Sequence, residues 1–299
     1  MNRLNYEKVF KTLVEETGNY LVNHSLRAMV LGVSGGIDST VVAAICCEVN
    51  KQTNIPLIGR SLPIKNKKDE FDVSTLVGEA FCNNFDVANL YDEYKHFLSG
   101  LVWREERIDL LDDTETMHPE KSKQQTLIAN GNIQARLRMI YLYNLASIHN
   151  GLVMSTDNQT EYQLGFWTIH GDVGDFDPIQ DLWKTEVYQL AEWLKLFYYT
   201  DGDDADKAVA IGESIKLTPT DGLGISNSDL DQIGAKSYND VDRVLQTLVC
   251  PASPENDKLQ DELTTELGPD VVGKITGRRF KSRFKRLVSP IIVPREMYD

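Results

Sequence analysis

Short apolar runs alternate with longer stretches of helical periodicity over the first two thirds of the chain. Runs typical of buried strands lie at 28–33, 55–61, 85–90 and 151–155. Helical spacing of apolar residues predicts helices over 6–24, 40–49, 69–83, 122–149 and 184–196. This alternation favours a three-layer α/β fold, with a parallel sheet covered by helices on both faces. We expect one domain over residues 1–299, with ligands bound at the carboxyl ends of the strands.

The charge balance and the cysteine pattern exclude several classes of protein. Asp and Glu number 45 against 31 Lys and Arg, so the net charge is −14, which disfavours binding to a nucleic-acid backbone. No apolar run is long enough to span a membrane, and the N-terminus lacks the pattern of a signal peptide. The four cysteines form no CxxC pair, and the histidines lack zinc-site spacing. We expect a cytoplasmic protein without nucleic-acid or membrane partners.

The end of the chain departs from this acidic character. Residues 274–286 include seven Lys or Arg and no acid. We call 274–299 the basic C-terminal segment. Such a local cationic region suits a small phosphorylated ligand or a subunit contact.

The sequence SGGIDS at 34–39 lies between a predicted strand and a predicted helix. Glycines allow the backbone to approach an anion, and the start of a helix offers free N–H groups. Asp38 is unexpected there, because a carboxylate about 4 Å from a phosphate costs about 4 kcal/mol per charge pair. A magnesium ion between the two removes this conflict. The loop therefore predicts a site for Mg²⁺ and pyrophosphate, the alternative being an ordinary strand-to-helix turn with Asp38 as a helix cap.

Two other phosphate-binding motifs are absent from this loop. A Walker A loop requires GxxxxGK[ST], and the loop has no lysine at that position. A dinucleotide fingerprint requires GxGxxG, which is also missing. The segment instead resembles the SGGxDS pyrophosphate loop of the N-type ATP pyrophosphatases. This resemblance implies cleavage of ATP to AMP and pyrophosphate, but it does not identify the acceptor substrate.

Later segments resemble one branch of that superfamily, the NAD synthetases. The similar segments are NGNIQARLRM at 130–139, STDNQTE at 155–161, GFWTIHGD at 165–172, PTDGL at 219–223 and KR at 285–286. The resemblance implies an adenine nucleotide alpha hydrolase-like, Rossmann-like fold. It also implies ATP-dependent amidation of deamido-NAD⁺ by ammonia, with Mg²⁺ as cofactor and a homodimer as the assembly. Only about two dozen residues precede the first predicted strand, whereas glutamine-dependent members carry an amidase domain there, so we expect ammonia as the donor.

The resemblance also implies residue roles. ATP is expected to contact Gly32, Val33, Ser34, Gly35, Gly36, Ile37, Asp38, Ser39, Thr156, Lys184 and Thr220. The expected metal carboxylates are Asp38 and Glu161, and the expected catalytic residues are Asp38 and Asp172, the latter as the base that deprotonates ammonium. Deamido-NAD⁺ is expected to contact Tyr20, Arg136, Tyr143, Trp167, Asp175, Phe284 and Lys285. For each, the alternative is a structural role as a helix cap, a core aromatic, a polar turn or a solvated charge.

Two departures from the family pattern concern the second substrate. Ile169 stands where the family has a lysine that contacts deamido-NAD⁺, and Phe284 stands where it has a histidine. These positions leave two alternatives open. The chain could be an ATP-pyrophosphatase ligase with a different acceptor, or a nucleotide-binding relative without catalytic activity.

Overall fold

A parallel four-stranded sheet forms the centre of the molecule. The computed structural model describes residues 4–102, 119–200, 204–220 and 228–287. The strands are β1 (Met29–Gly32), β2 (Leu57–Ser61), β3 (Asn84–Val87) and β4 (Leu152–Val153), in the order β3-β2-β1-β4. β1 is central, and its Met29 pairs with Leu57 of β2 and Leu152 of β4.

Helices cover both faces of this sheet, as the alternating sequence pattern predicts. One face carries α1 (Tyr6–Asn23), α2 (Ile37–Thr53), α3 (Lys68–Phe81), α7 (Lys184–Thr200) and α8 (Ala205–Lys216). The other carries α4 (Tyr91–Val102) and α5 (Pro119–His149). Side chains of β1 divide between the two layers, since Met29 and Leu31 pack against the first and Val30 against the second. The predicted three-layer α/β class is confirmed.

A third apolar cluster lies in the C-terminal part of the chain, where the sequence pattern predicted only a basic segment. Its helices are α9 (Asp229–Ile233), α10 (Tyr238–Val249), α11 (Pro254–Leu267) and α12 (Pro269–Lys281), followed by a 3-10 helix at Arg283–Arg286. Leu164 of α6 (Gln159–Leu164) packs into this cluster with Val241, Leu245 and Ile275. The cluster therefore joins the C-terminal helices to the segment that follows β4.

Several predicted boundaries differ from the observed ones, and two of the differences concern the candidate site. The helix predicted from Thr40 begins at Ile37, so Asp38 lies in its first turn. The strand predicted over 151–155 contains only two residues. Beyond β4 the backbone pairs with Phe176. Met154 forms an isolated bridge with Phe176, and the Ser155 N–H donates to the Phe176 carbonyl at 2.8 Å.

Parts of two acidic segments fall outside the described residues. Of the stretch 109–119, only Pro119 is described, as the first residue of α5. Of the stretch 200–206, residues 201–203 are not described. Among the helices that the structure does describe, none combines the length and the apolar character that a bilayer crossing requires.

Candidate active site

The SGGIDS loop connects β1 to α2 at the carboxyl edge of the sheet. Gly35 has φ +82°, and a Cβ there would come within 2.7 Å of the Ser74 N and 2.8 Å of the Glu70 carbonyl oxygen. Only glycine fits this position without strain. The Ser214 hydroxyl of α8 donates to the Gly35 carbonyl at 2.7 Å and so links the loop to α8. α2 then begins after its N-cap Gly36, which provides no side-chain cap.

Asp38, Glu161 and Lys184 meet beside this loop. The Lys184 Nζ donates to the Asp38 Oδ2 and, at 3.1 Å, to the Glu161 Oε1. The lysine side chain is only 3% exposed, so its ammonium group is almost withdrawn from water. The predicted metal carboxylates therefore lie close enough for one cation to contact both.

The charge states of this cluster depend on each other. Burial raises the pKa of the Glu161 carboxyl, and the neighbouring Lys184 opposes that change. Burial disfavours the Lys184 ammonium, but Asp38 and Glu161 outweigh it and hold the lysine pKa above its usual range. The site thus stabilises a buried positive charge between two carboxylates.

Asn158 hydrogen-bonds to two members of the same cluster, although it was not among the predicted site residues. Its Nδ2 donates to the Asp38 Oδ1 at 2.8 Å. Its Oδ1 accepts from the Glu161 N–H at 3.1 Å, and the Glu161 Oε2 accepts from the Asn158 N–H at 3.3 Å, which forms a capping box at the start of α6. The spacing from Asn158 to Glu161 is the only sequence signal for this role.

A cavity of about 680 Å³ opens over this cluster, and we call it the main cavity because it contains Asp38, Glu161 and Lys184. Most of the predicted ATP residues line it: Ser34, Gly36, Ile37, Asp38, Ser39, Thr156, Lys184 and Thr220. Gly32 and Val33 instead line a smaller cavity of about 250 Å³, which shares Ser34, Thr156 and Thr220 with the main one. Gly35 lines neither cavity.

A second cavity of about 730 Å³ adjoins the first at Trp167 and Lys285. Five of the seven residues predicted to contact deamido-NAD⁺ line it, namely Arg136, Tyr143, Trp167, Phe284 and Lys285. Ile169 and His170 belong to the same wall. The Arg136 Nη2 donates to the Ile169 carbonyl at 2.9 Å. The structure therefore gathers these five residues around one cavity that adjoins the main cavity.

Tyr20 and Asp175 do not line that cavity. Tyr20 stacks on His24 with ring centroids 4.2 Å apart and lies 4.9 Å from the Phe176 ring. The Asp175 Oδ1 accepts from the Tyr143 hydroxyl at 3.0 Å, and its Oδ2 accepts from the Val153 N–H at 3.1 Å. Asp175 thereby orients the cavity residue Tyr143.

Lys285 lines both cavities and stabilises the backbone between them. Its Nζ donates to the Gly165 carbonyl at 2.8 Å and to the Trp167 carbonyl. The Trp167 ring stacks on Tyr162 at 5.6 Å with an interplanar angle of 5°. In this structure the Lys285 ammonium therefore holds the backbone around Trp167 in place.

The predicted base Asp172 lines the main and the smaller cavity. Its Oδ1 accepts from the Thr168 N–H at 2.6 Å. Burial raises its pKa, against the lowering effect of that hydrogen bond and of Lys285 and Arg138. The raised pKa favours proton uptake by this carboxylate.

Two further buried acids near the main cavity were missed by sequence reasoning. The Ser155 Oγ donates to the Asp157 Oδ2 at 3.2 Å. Burial, reinforced by Asp172 and Glu161, raises the Asp157 pKa, and burial also raises the pKa of Asp177 to about 7. Their only sequence signal is their position in the acidic stretches STDNQTE and GDFDP. The raised pKa of both acids favours their protonated, neutral form near Asp38 and Glu161.

The basic C-terminal segment reaches the same region. Its α12 carries Arg278, whose guanidinium lies 3.6 Å from the centre of the Phe166 ring, and both residues line the main cavity. Lys274 and Lys281 line an adjoining cleft of about 920 Å³. Residues 288–299 are outside the described part of the chain.

The chain matches the family model described as NAD synthase over residues 9–289. The chain belongs to the NAD synthase family. The NH(3)-dependent NAD(+) synthetase of Campylobacter jejuni is 28% identical over 290 residues, which covers 97% of this chain and 99% of the relative. The Thermoplasma acidophilum protein of the same name is 34% identical over 220 residues, 72% of this chain and 75% of the relative.

Solved structures support the same fold. The chain is similar to NMN synthetase from Francisella tularensis with a TM-score of 0.71 and 23% identity, covering 98% of this chain and 100% of that one. At this identity the similarity concerns the fold alone. The parallel sheet and its two helical layers are therefore those of the NAD synthase family.

Proposed function

We propose that this protein catalyses the ATP-dependent amidation of deamido-NAD⁺ by ammonia, which yields NAD⁺, AMP and pyrophosphate. The chain belongs to the NAD synthase family, and NH(3)-dependent synthetases match it over nearly its whole length. The observation that carries the proposal is the phosphate loop with Asp38, Glu161 and Lys184 next to a second cavity for another substrate.

Magnesium is the metal that this site suits. The two carboxylates already share one cation, and their oxygens are the hard ligands that Mg²⁺ prefers. Among the described residues, no group of three or more His, Cys, Asp or Glu side chains could hold a metal. A site of two carboxylates completed by phosphate oxygens is consistent with that finding. When bound by Asp38 and Glu161, the ion supplies neutralisation of phosphate charge.

The residues of the chain mainly orient two substrates and balance charge. The open start of α2, with the hydroxyls of Ser34 and Ser39, binds phosphate oxygens. The nicotinate carboxylate attacks the α-phosphorus of ATP, and the bond to pyrophosphate breaks. Ammonia then attacks the activated carbonyl, and AMP leaves. Asp172 takes the proton that ammonium must lose before this attack.

The second cavity is the proposed site of deamido-NAD⁺. Trp167 and Tyr143 offer ring faces, and Arg136 offers a cation beside the Ile169 backbone, where the family has its lysine. A dinucleotide in this cavity lies next to the ATP site because the two cavities share Trp167 and Lys285. Phe284 replaces a polar contact of the family with an apolar one.

The homodimer and the cytoplasmic location are also part of this proposal. Ile140, Tyr143 and Ile148 of α5 are exposed by 68%, 37% and 66%, and they recur at helical spacing. A second copy of the chain would cover this apolar face, which borders the second cavity at Ile140 and Tyr143. All four cysteines are free, as a reducing compartment favours.

Product analysis by mass spectrometry tests the proposed function. The protein is incubated with ATP, Mg²⁺, ammonium and deamido-NAD⁺, and each component is omitted in turn. We expect NAD⁺ and AMP in equal amounts, only when all four are present. AMP formed with another carboxylate, such as a pyridine mononucleotide, in preference to deamido-NAD⁺ would replace the proposed acceptor. Absence of AMP with every acceptor would reject the ligase activity.

A further inference from the structure

Asp242 is a fully buried carboxylate at the back of the candidate site. It lies on α10 with 0% exposure, and it is absent from the described residues that line the main cavity. A buried carboxylate is costly unless hydrogen bonds compensate for the lost water. Its hydrogen-bond partners therefore indicate why the fold retains it.

Those partners belong to α6 and α7, the helices that carry Glu161 and Lys184. The Asp242 Oδ1 accepts from the Thr160 hydroxyl of α6 at 2.5 Å. The Asp242 Oδ2 accepts from the Thr185 N–H of α7 at 2.9 Å. Thr160 precedes Glu161, and Thr185 follows Lys184. One carboxylate thus holds the side chain next to Glu161 and the backbone next to Lys184.

A third hydrogen bond closes this network. The Thr160 Oγ1, which donates to Asp242, also accepts from the Lys184 N–H at 2.9 Å. The preceding N–H, that of Trp183, donates to the Glu186 Oε2 at 2.9 Å. Side chains therefore satisfy three successive N–H groups at the start of α7, which a helix leaves without backbone partners. Negative charge at this end of a helix is also favourable.

We propose that Asp242 is a positioning residue that sets the distance between Glu161 and Lys184 and so prepares the cluster for ATP and its cation. This inference rests on the proposed function. Asp242 touches no substrate; it acts through Thr160 and Thr185. Loss of either bond frees the start of α6 or α7 to move, and a displacement of about 1 Å at such a site can cost about 100-fold in rate.

Asp242→Asn is the first test. The asparagine amide has one acceptor oxygen where the carboxylate has two, so it cannot accept from both Thr160 and Thr185, and one of these two hydrogen bonds is lost or reversed in direction. We expect kcat to fall at least about tenfold and the Kd of ATP in Mg²⁺, measured by calorimetry without acceptor, to rise. The KM of deamido-NAD⁺ should stay within about twofold. Asp240→Asn, the same substitution on the same helix, should behave as the wild type.

A second pair of variants keeps the test valid if Asp242→Asn fails to fold. Thr160→Val removes the hydroxyl that joins Asp242 to Lys184, and Thr160→Ser restores it. We expect valine to reproduce the loss of kcat and of ATP affinity, and serine to recover most of both.

Two results would overturn the inference. One is wild-type kcat and ATP affinity in Thr160→Val and in any folded Asp242→Asn. The other is a lower Tm of these variants with unchanged kcat per folded molecule, which would leave Asp242 a structural role only. A wild-type protein inactive with deamido-NAD⁺ and ammonia would reject the proposed function instead, and the ATP-binding comparison would still decide the role of Asp242.

Discussion

At the scale of single residues, the site depends on a lysine held between two carboxylates. Lys184 contacts both Asp38 and Glu161 while its side chain is 3% exposed. Removing one member of a buried charged cluster leaves the others uncompensated. The residues around the phosphate loop should therefore respond strongly to changes that preserve shape and alter charge.

Asp38→Asn is expected to abolish turnover while the protein stays folded. The amide keeps the size of the side chain and can still accept from Asn158, but it removes the charge that faces Lys184 and the proposed metal ion. We expect a loss in kcat of at least about 100-fold. Steady-state rates and circular dichroism check this, with the exposed Asp92→Asn as control. Near-normal activity would remove the metal role of Asp38.

The raised pKa of Asp177 predicts how the free energy of unfolding depends on pH. Burial raises its pKa to about 7, so between its unfolded value near 4 and pH 7 the folded state binds more protons than the unfolded state. The free energy of unfolding therefore falls as pH rises through this window. We expect Asp177→Asn to stabilise the free protein at pH 8 by up to about 4 kcal/mol, and by much less at pH 5.

Urea unfolding at several pH values measures this difference. The exposed Asp181→Asn is the matched control and should change neither the free energy of unfolding nor its slope with pH. An Asp177→Asn protein with the wild-type pH slope would contradict the prediction.

The sequence predicted the site residues that lie in short motifs, but not those that orient them. The glycines and Asp38 occur within one hexapeptide whose chemistry is local. Asn158 reaches Asp38 across 120 positions, and Asp242 reaches Thr160 across 82. Such contacts are set by tertiary packing, which the order of residues in one chain does not reveal.

At the scale of secondary-structure elements, the turn from β1 into α2 has little tolerance for change. Gly35 adopts φ +82° between the backbones of Ser74 and Glu70. Gly273, within α12, has no heavy atom within 4 Å of the position that a Cβ would take, so a side chain there meets open space. Substitution by alanine should therefore lower the stability of the protein at Gly35 and raise it at Gly273.

Gly35→Ala should destabilise the fold by at least about 2 kcal/mol, through a left-handed backbone and a clash with the main chain of α3. It should also weaken ATP binding. Gly273→Ala should stabilise α12 by about 0.5–1 kcal/mol. Thermal unfolding and ATP titration measure both variants. An equal response of the two would contradict this assignment.

The strands and most helices before α8 were predictable because buried strands and amphipathic helices differ in period, but α4 and α6 were not predicted. The start of α2 was predicted at Thr40, but the helix begins at Ile37. Its N-cap residue is Gly36, which has no capping side chain that would mark the boundary in the sequence. The strand at 151–155 was overestimated because apolar character continues beyond the two residues that pair with β1. Helices α8 to α12 were not predicted, although α10 buries Val241, Val244 and Leu245 on one face at helical spacing.

At the scale of the whole molecule, the apolar face of α5 has no cover within the described part of the chain. Ile140 and Ile148 lie on it, and Tyr143 joins it to the second cavity. Exposed apolar residues that cluster on one surface mark an interaction site. This is the surface on which the proposed homodimer depends.

Ile140→Lys should convert the dimer to a monomer at micromolar concentration, because it places a charge in the centre of an apolar interface. Light scattering after size exclusion measures the mass. Leu196→Lys, at a position 61% exposed on α7, is the control and should leave the dimer intact. A wild-type protein that is monomeric at these concentrations would contradict the proposed assembly.

The two helix starts that carry Asp38 and Lys184 differ in one respect. At α7, side chains already occupy the N–H groups of Trp183, Lys184 and Thr185. At α2, the N-cap residue Gly36 has no side chain to cap the helix, although its own N–H donates to the Ser34 Oγ at 3.2 Å. Of these two helix ends, the one at α2 is therefore the more open to a triphosphate. If ATP binds as proposed, we expect its phosphate tail to point toward the glycine turn, so that the orientation of the nucleotide is selected before any chemistry begins.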